Sequence, residues 1–233
     1  SEELFEETVE NRRHLHQTPE LGLELPETTA FIMEKLTEMG YDPKRCGGGI
    51  VACVGANEGK TVLLRADVDG LPMKEESGLS FASQRENAHT CGHDLHGAML
   101  LTAAKMLKEN EATLKGTVKL MFQPGEETFT GAKAMIADGV LENPKPDAAL
   151  GYHVGSGSAP VGLFIYNRES TLQNSSDNFR IDIQGKGGHG ASPNECIDPV
   201  NIAAHIILAL ESVIAREVKS TQASVLTIGK VVA

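Results

Sequence analysis

The sequence predicts an α/β fold: a largely parallel sheet with helices on both faces, followed near Ser175 by the start of a smaller α+β domain. Two observations carry this reading. From "GIVACVG" to "DAALGYHV", short apolar runs alternate with amphipathic helical stretches, the pattern of strands joined by crossover helices. After "RESTLQNSSDN" the texture changes, and "FRIDIQGKGGHG" alternates Phe179, Ile181 and Ile183 with polar residues, as a strand with one solvated face does. The expected domains are therefore 1–174 and 175–233.

The elements follow in order. "EELFEETVENRRHLHQ" carries Leu4, Phe5, Val9, Arg12 and Leu15 at roughly helical spacing and stops short of Pro19. A second helix begins at Pro26, runs through Phe31, Ile32, Leu36 and Met39, and ends at Gly40, a residue suited to a left-handed cap. "GIVACVG" and "TVLLRAD", bounded by Gly, Asn and Asp, read as neighbouring strands. From Asp94 to Lys108, the residues Leu95, Ala98, Met99, Thr102, Ala103, Met106 and Leu107 recur at threes and fours, so "AHTCGHDLHG" opens a buried helix. "TVKLMFQP" reads as a strand, "GAKAMIADGV" as a helix and "DAALGYHV" as a strand. Farther on, Asp198 caps a helix with Pro199 at its first position and Val200, Ala203, Ile206, Ile207, Leu210, Val213 and Ile214 on one stripe. "ASVLTIGKVVA" resumes strand character, and nothing in it reads as a domain end, so the second domain is expected to be incomplete.

Composition bounds the function. A chain of 233 residues can bury a sizeable core. A net charge of -11, no Trp and only 4% aromatic residues argue against nucleic acid and anionic membranes as partners. The N-terminus lacks the basic and apolar regions of a signal peptide, and no apolar run reaches the ~18 residues of a spanning helix. A cytoplasmic location is expected. Cys46, Cys53, Cys91 and Cys196 show no paired spacing of the disulfide-rich kind and are expected as thiols.

Four segments bear chemistry. "TCGHD" places Cys91 and His93 on either side of Gly92, where a sharp turn lets both donors reach one ion; a buried cysteine and a helix start explain it equally well. "FQPGEET" projects Glu126 and Glu127 from a strand end, although an acidic pair also suits a helix N-terminus. His153 ends the run "LGYHV", where a lone histidine is ordinarily a satisfied turn or core residue. Asp67 and Asp69 lie two apart at another strand end, on one face, or are simply solvated turn residues. All four terminate strands that a parallel sheet brings to one edge, where ligand crevices lie.

Taken together, "RRHLHQTPELGLE", "LLRADVDGLPM", "HTCGHDLHGAMLLTAAKML", "FQPGEE", "GAKAMIADGVLENP", "LGYHV" and "GKGGHGASP" closely resemble the metal-dependent N-acyl-amino-acid amidohydrolases. That group includes hippurate hydrolases, auxin-conjugate hydrolases and N-acetyl-diaminopimelate deacetylases, within the aminoacylase and carboxypeptidase-G type metallopeptidases. The resemblance implies Cys91, His93, Glu127 and His153 as ligands of two divalent metal ions, and Glu126 as general acid/base. It implies Asp69 as the residue that orients a ligand imidazole. It also implies a lid domain that forms a homodimer and offers His189, of "GGHG", to the substrate. The implied reaction is cleavage of the amide of an N-acyl or N-aroyl amino acid by a metal-activated hydroxide. The metals could be zinc, manganese, cobalt or nickel; thiolate suits these better than magnesium or calcium.

The sequence also departs from the family. Relatives are longer and contribute a C-terminal histidine ligand beyond the segments seen here, "TFTGA" stands where they carry a glycine-rich run, and Leu95 replaces a small residue. Two rivals follow: a catalytically silent metal-binding or dimerisation module, and a thiol amidase using Cys91.

Overall fold

The computed structural model describes residues 4–56, 58–155, 157, 160–166 and 175–233. They divide into two compact units, Ser1–Ala159 and Pro160–Ala233. That boundary precedes the composition change near Ser175.

In the first unit, strand pairing sets the frame. The strands β1 (Lys44–Cys46), β2 (Gly49–Gly55), β3 (Thr61–Asp67), β4 (Thr117–Gln123) and β5 (Ala148–Gly151) form one sheet in the order β1-β2-β4-β3-β5. β4, β3 and β5 are parallel, while β2 runs antiparallel to β4 and β1 antiparallel to β2. The expected adjacency of "GIVACVG" and "TVLLRAD" therefore fails, because β4 inserts between β2 and β3. The connection from β2 to β3 passes over the start of β4: Ala56 N–H donates to Gly116 O at 3.1 Å and Thr117 N–H to Lys60 O at 2.9 Å. Only a glycine fits at 116, since a Cβ there would lie 2.2 Å from Lys60 O.

Helices cover both faces. On one face α1 (Phe5–Gln17), α2 (Pro26–Glu38) and α3 (His93–Glu109) bury Leu15, Ile32, Leu36, Leu100 and Leu101 against Ile50, Ala52, Val54, Ala66, Leu120 and Phe122 of the sheet. On the other, Met135 of α4 (Gly131–Ala137) packs with Cys46, Leu63, Met121 and Val140. The period-2 alternation of β2 and β4 produces this split, with odd and even positions feeding different cores. Gly40 follows α2 with φ of 83°, as its cap position requires.

A buried polar relay fastens α1 to α3 and to the long connection after β3. Arg12 Nε donates to Asp94 Oδ2 at 2.7 Å, and His16 Nδ1 stands 2.7 Å from the same oxygen. His16 Nε2 lies 3.0 Å from Glu75 Oε1, and Glu75 Oε2 accepts the Ser83 N–H at 2.7 Å. The ring of Phe81 closes the relay edge-on to His16, with Arg12 over its face.

In the second unit, α5 (Pro199–Arg216) begins as expected, with Asp198 Oδ1 accepting from Val200 and Asn201 N–H. The two strands expected there do not form. Lys186 and Ile197 share an isolated bridge, and among the described residues neither 179–185 nor 225–233 enters a ladder. Alternation marks a strand only where a neighbour satisfies its backbone, and Phe179 and Ile181 are exposed. Against the expectation above, α5 by length and composition alone meets the minimum for crossing a membrane. It also carries Asn201, His205, Glu211 and Arg216.

The Asp94 hydrogen bond raises the His16 pKa above its ordinary 6.5, against the effect of burial. His16 therefore contributes stability that is fully present below its unfolded value and is lost as the pH rises through the raised folded value. Denaturant midpoints of wild type and His16→Gln should differ most at pH 6 and converge toward pH 9. A constant difference across that range would contradict the charged relay.

Candidate metal centre

The parallel strands end together. Asp67 closes β3 beside Gln123 of β4, and Gly151 of β5 pairs with Arg65. Past these ends the chain places Asp69, Glu126, Glu127 and His153, while the turn Cys91–Gly92 and the first turn of α3 bring Cys91, His93 and His96 to the same edge. Three overlapping groups of ligand-type side chains result: Cys91, His93 and His153; His93, Glu126 and Glu127; and Asp67, His93 and His96. Within each, the ligand atoms lie within 4.8 Å of one another.

His93 is common to all three, and its ring is fixed from behind. Nδ1–H donates to the Asp69 backbone carbonyl at 2.9 Å, with Asp69 Oδ1 3.4 Å away. The lone pair is thereby left on Nε2, which is buried and has no hydrogen-bond partner among the described residues. Nε2 faces Asp67 Oδ2 at 3.6 Å, Glu127 Oε1 at 3.7 Å and Glu126 Oε2 at 3.9 Å. Glu127 Oε1 is likewise buried and unpartnered. The main chain of Glu127 is held by Asp69 Oδ2, which accepts its N–H at 3.1 Å.

These spacings fit a cation. Donors of one tetrahedral ion, bonded at about 2.0–2.3 Å, lie roughly 3.3–3.8 Å from each other. Cys91 Sγ and His153 Nε2 are 3.3 Å apart, and His93 Nε2 and Glu127 Oε1, too far apart for a hydrogen bond, are 3.7 Å apart. A bare imidazole nitrogen facing carboxylates, beside a thiol and a second imidazole, is the donor set of a zinc-like ion.

The electrostatics point the same way. Burial would raise Asp67, but the His96 hydrogen bond and the charges of Arg65 and His93 outweigh it and hold the carboxyl down to about 2. Arg65 Nη1 is 2.7 Å from Asp67 Oδ2, and Arg65 Nε donates to Gln123 Oε1 at 3.0 Å. Glu126 is pushed above the usual carboxylate range by burial, then by Glu127 and Asp67. Burial and the Glu127 carboxylate push the Cys91 thiol up to about 12, so without a cation it stays protonated.

The sequence-predicted residues Cys91, His93, Glu126, Glu127, His153 and Asp69 thus come together. His189 lies in the second unit, exposed, its Nδ1 accepting the Ala191 N–H at 3.1 Å, and it belongs to none of the three groups. The "TFTGA" departure has a backbone consequence: Phe129 adopts φ of 56°, a conformation that glycine takes without strain.

The sequence singled out Asp67 with Asp69 as a candidate pair but gave Asp67 no particular role, and it gave none to Arg65 or His96. His96 is fully buried, with Nδ1 at 2.5 Å from Asp67 Oδ1 and Nε2 accepting the Val154 N–H at 2.9 Å. Both ring nitrogens are occupied, so His96 has no lone pair to offer a metal. The signal available was the spacing of His93 and His96, which puts both on one face of α3.

Comparison with known proteins agrees. The chain is 42% identical over 234 residues to an N-acetyl-L-cysteine deacetylase of Bacillus subtilis, covering 98% of this chain and 55% of that protein. It is 38% identical to a hippurate hydrolase of Campylobacter jejuni over 94% of this chain and 57% of the relative. The chain spans little more than half the length of these curated relatives. A structure described as an aminohydrolase from methicillin-resistant Staphylococcus aureus superposes with a TM-score of 0.71 at 34% identity, over 98% of this chain and 61% of that one. A dinuclear metal-binding peptidase of the M20 family from Bacillus subtilis gives a TM-score of 0.62 at 35% identity, over 66% of this chain and 44% of that one. Residues 63–229, which include the gathered donors from Asp67 to His153, match the Peptidase family M20/M25/M40, and the chain belongs to that family.

Proposed function

We propose that this chain carries the metal centre of a hydrolase that cleaves the amide of N-acyl or N-aroyl amino acids. The observation that carries the reading is the buried, unpartnered Nε2 of His93 facing Glu126 and Glu127 beside Cys91 and His153. The names of the relatives support the substrate class, since N-acetyl-L-cysteine and hippurate both join an acyl group to an amino acid through an amide.

Cys91, His93, Glu127 and His153 would hold two divalent ions of the zinc, manganese, cobalt or nickel kind. When bound, such ions supply an acidified water and a Lewis acid for the amide carbonyl. Glu127 is taken as a ligand because its Oε1 is buried and unpartnered, and Glu126 as the proton carrier because its side chain is the more exposed. Its raised pKa moves the Glu126 carboxyl toward neutrality, where it can accept a proton and return it. It takes the proton of the attacking water as the new C–O bond forms. It then delivers that proton to the amine as the C–N bond breaks, leaving a carboxylate and a free amino acid. His189, whose Nδ1 accepts from Ala191, would present an Nε2–H donor to the oxyanion. A homodimer through the second unit and a cytoplasmic location belong to the same proposal.

Glu126→Gln should lower turnover of hippurate and N-acetyl-L-cysteine by about 10²–10⁴-fold with metal content unchanged, read by product assay and elemental analysis. Retained turnover would remove Glu126 from the proton path, and wild-type metal without turnover on either substrate would favour a silent metal-binding module.

Cys91→Ala should weaken metal binding at least about tenfold, measured by competition with a chelator. Unchanged affinity, with activity that survives chelation and is lost on alkylation, would support the thiol amidase instead.

A further inference from the structure

We infer that His96 is a positioning residue that aims the His153 ring at the metal centre; the inference rests on the ligand assignment proposed above. His153 stands in an exposed stretch. β5 is exposed along its length, and His153 and Gly155 beyond it are exposed as well. Such a segment has little core packing to fix a side chain, and a ligand nitrogen misplaced by an ångström loses its bond.

His96 supplies the missing constraint from below. Its Nε2 accepts the N–H of the peptide joining His153 to Val154, at 2.9 Å. Its ring also packs edge-on against the His153 ring, with centroids 4.7 Å apart. The other nitrogen, Nδ1–H, donates to Asp67 Oδ1, and this fixes the tautomer that leaves Nε2 free to accept. Arg65 holds Asp67 in turn. The anchor therefore runs from the end of β3 through α3 to the segment after β5.

Two more contacts complete the aim. His153 Nδ1–H donates to the Val154 carbonyl at 2.7 Å, which turns the Nε2 lone pair toward Cys91 Sγ, 3.3 Å away. The Val154 side chain lies over Gly92, where a Cβ would come within 2.5 Å of Val154 Cγ2. Val154 is thus held at its N–H by His96 and at its side chain by the turn that carries Cys91.

The test separates the two ends of the imidazole. His96→Gln places an amide oxygen near the position of Nε2, where it can accept the Val154 N–H. His96→Asn keeps a donor near Nδ1 for Asp67 but cannot reach Val154. Cobalt(II) titration of the full 233-residue chain, followed through the thiolate-to-cobalt absorption band, should give wild-type affinity to within about threefold for Gln. It should show weakening of about 10–100-fold for Asn. Equal affinities for the two variants would overturn the positioning role, whether both match wild type or both are weakened.

Amide hydrogen exchange on the wild-type chain needs no substitution and decides the matter if neither variant folds. The Val154 amide should exchange more slowly than that of Gly155, and equal rates would overturn the inference. Failure of wild type to bind cobalt would instead overturn the metal-centre reading itself, and the inference with it.

Discussion

A single imidazole nitrogen organises the first unit. His93 Nε2 is buried, carries a lone pair because Nδ1 is committed to the Asp69 carbonyl, and faces carboxylate oxygens too distant to hydrogen-bond it. Left alone, that arrangement is costly: burial removes water from polar atoms without giving them partners. Burial opposes a proton on His93, but the Asp69, Asp67 and Glu127 carboxylates outweigh it and raise its pKa, so a proton is favoured there more than on a free imidazole. A divalent ion would take the place of that proton, which ties metal affinity to pH in any site of this kind.

The rest of the fold delivers groups to that nitrogen. Asp69 does two things at once, orienting His93 through its carbonyl and fixing the Glu127 main chain through its carboxylate. It can do so because β3 and β4 run in parallel and end side by side at Asp67 and Gln123. Arg65 and Gln123 bridge the two strands at this point, and Arg65 supplies a positive charge that keeps Asp67 ionised. Behind α3, Asp94 turns away from the cluster toward Arg12 and His16. Adjacent residues His93 and Asp94 therefore serve different networks, one facing the candidate metal centre and the other clamping α1 and the Glu75 connection.

Much of this was legible in the sequence because it depends on local order. Helix limits followed from Pro26, Gly40, Asp198 and Pro199, and the donors Cys91, His93, Glu126, Glu127 and His153 all stood at strand or helix ends. What the sequence did not disclose was pairing between distant segments. Nothing in "GIVACVG" or "TVLLRAD" announces that β4 enters between them, and the close backbone approach at Gly116 leaves only a missing side chain as its trace. His96 was overlooked for a similar reason: its partners, Asp67 and the Val154 amide, lie on two other elements. In the second unit alternation misled, because Phe179, Ile181 and Ile183 carry the pattern of a strand without a neighbour to pair with among the described residues.

Cys91, His93, Glu127 and His153 are proposed to surround divalent ions. Anomalous diffraction from crystals of the chain grown with zinc, recorded on both sides of the zinc absorption edge, tests this proposal most directly. Two anomalous peaks are expected at the ends of β3, β4 and β5, within bonding distance of Cys91 Sγ, His93 Nε2, a Glu127 oxygen and His153 Nε2. Zinc found only elsewhere on the surface, with His93 Nε2 bonded to a water or a carboxylate, would contradict it.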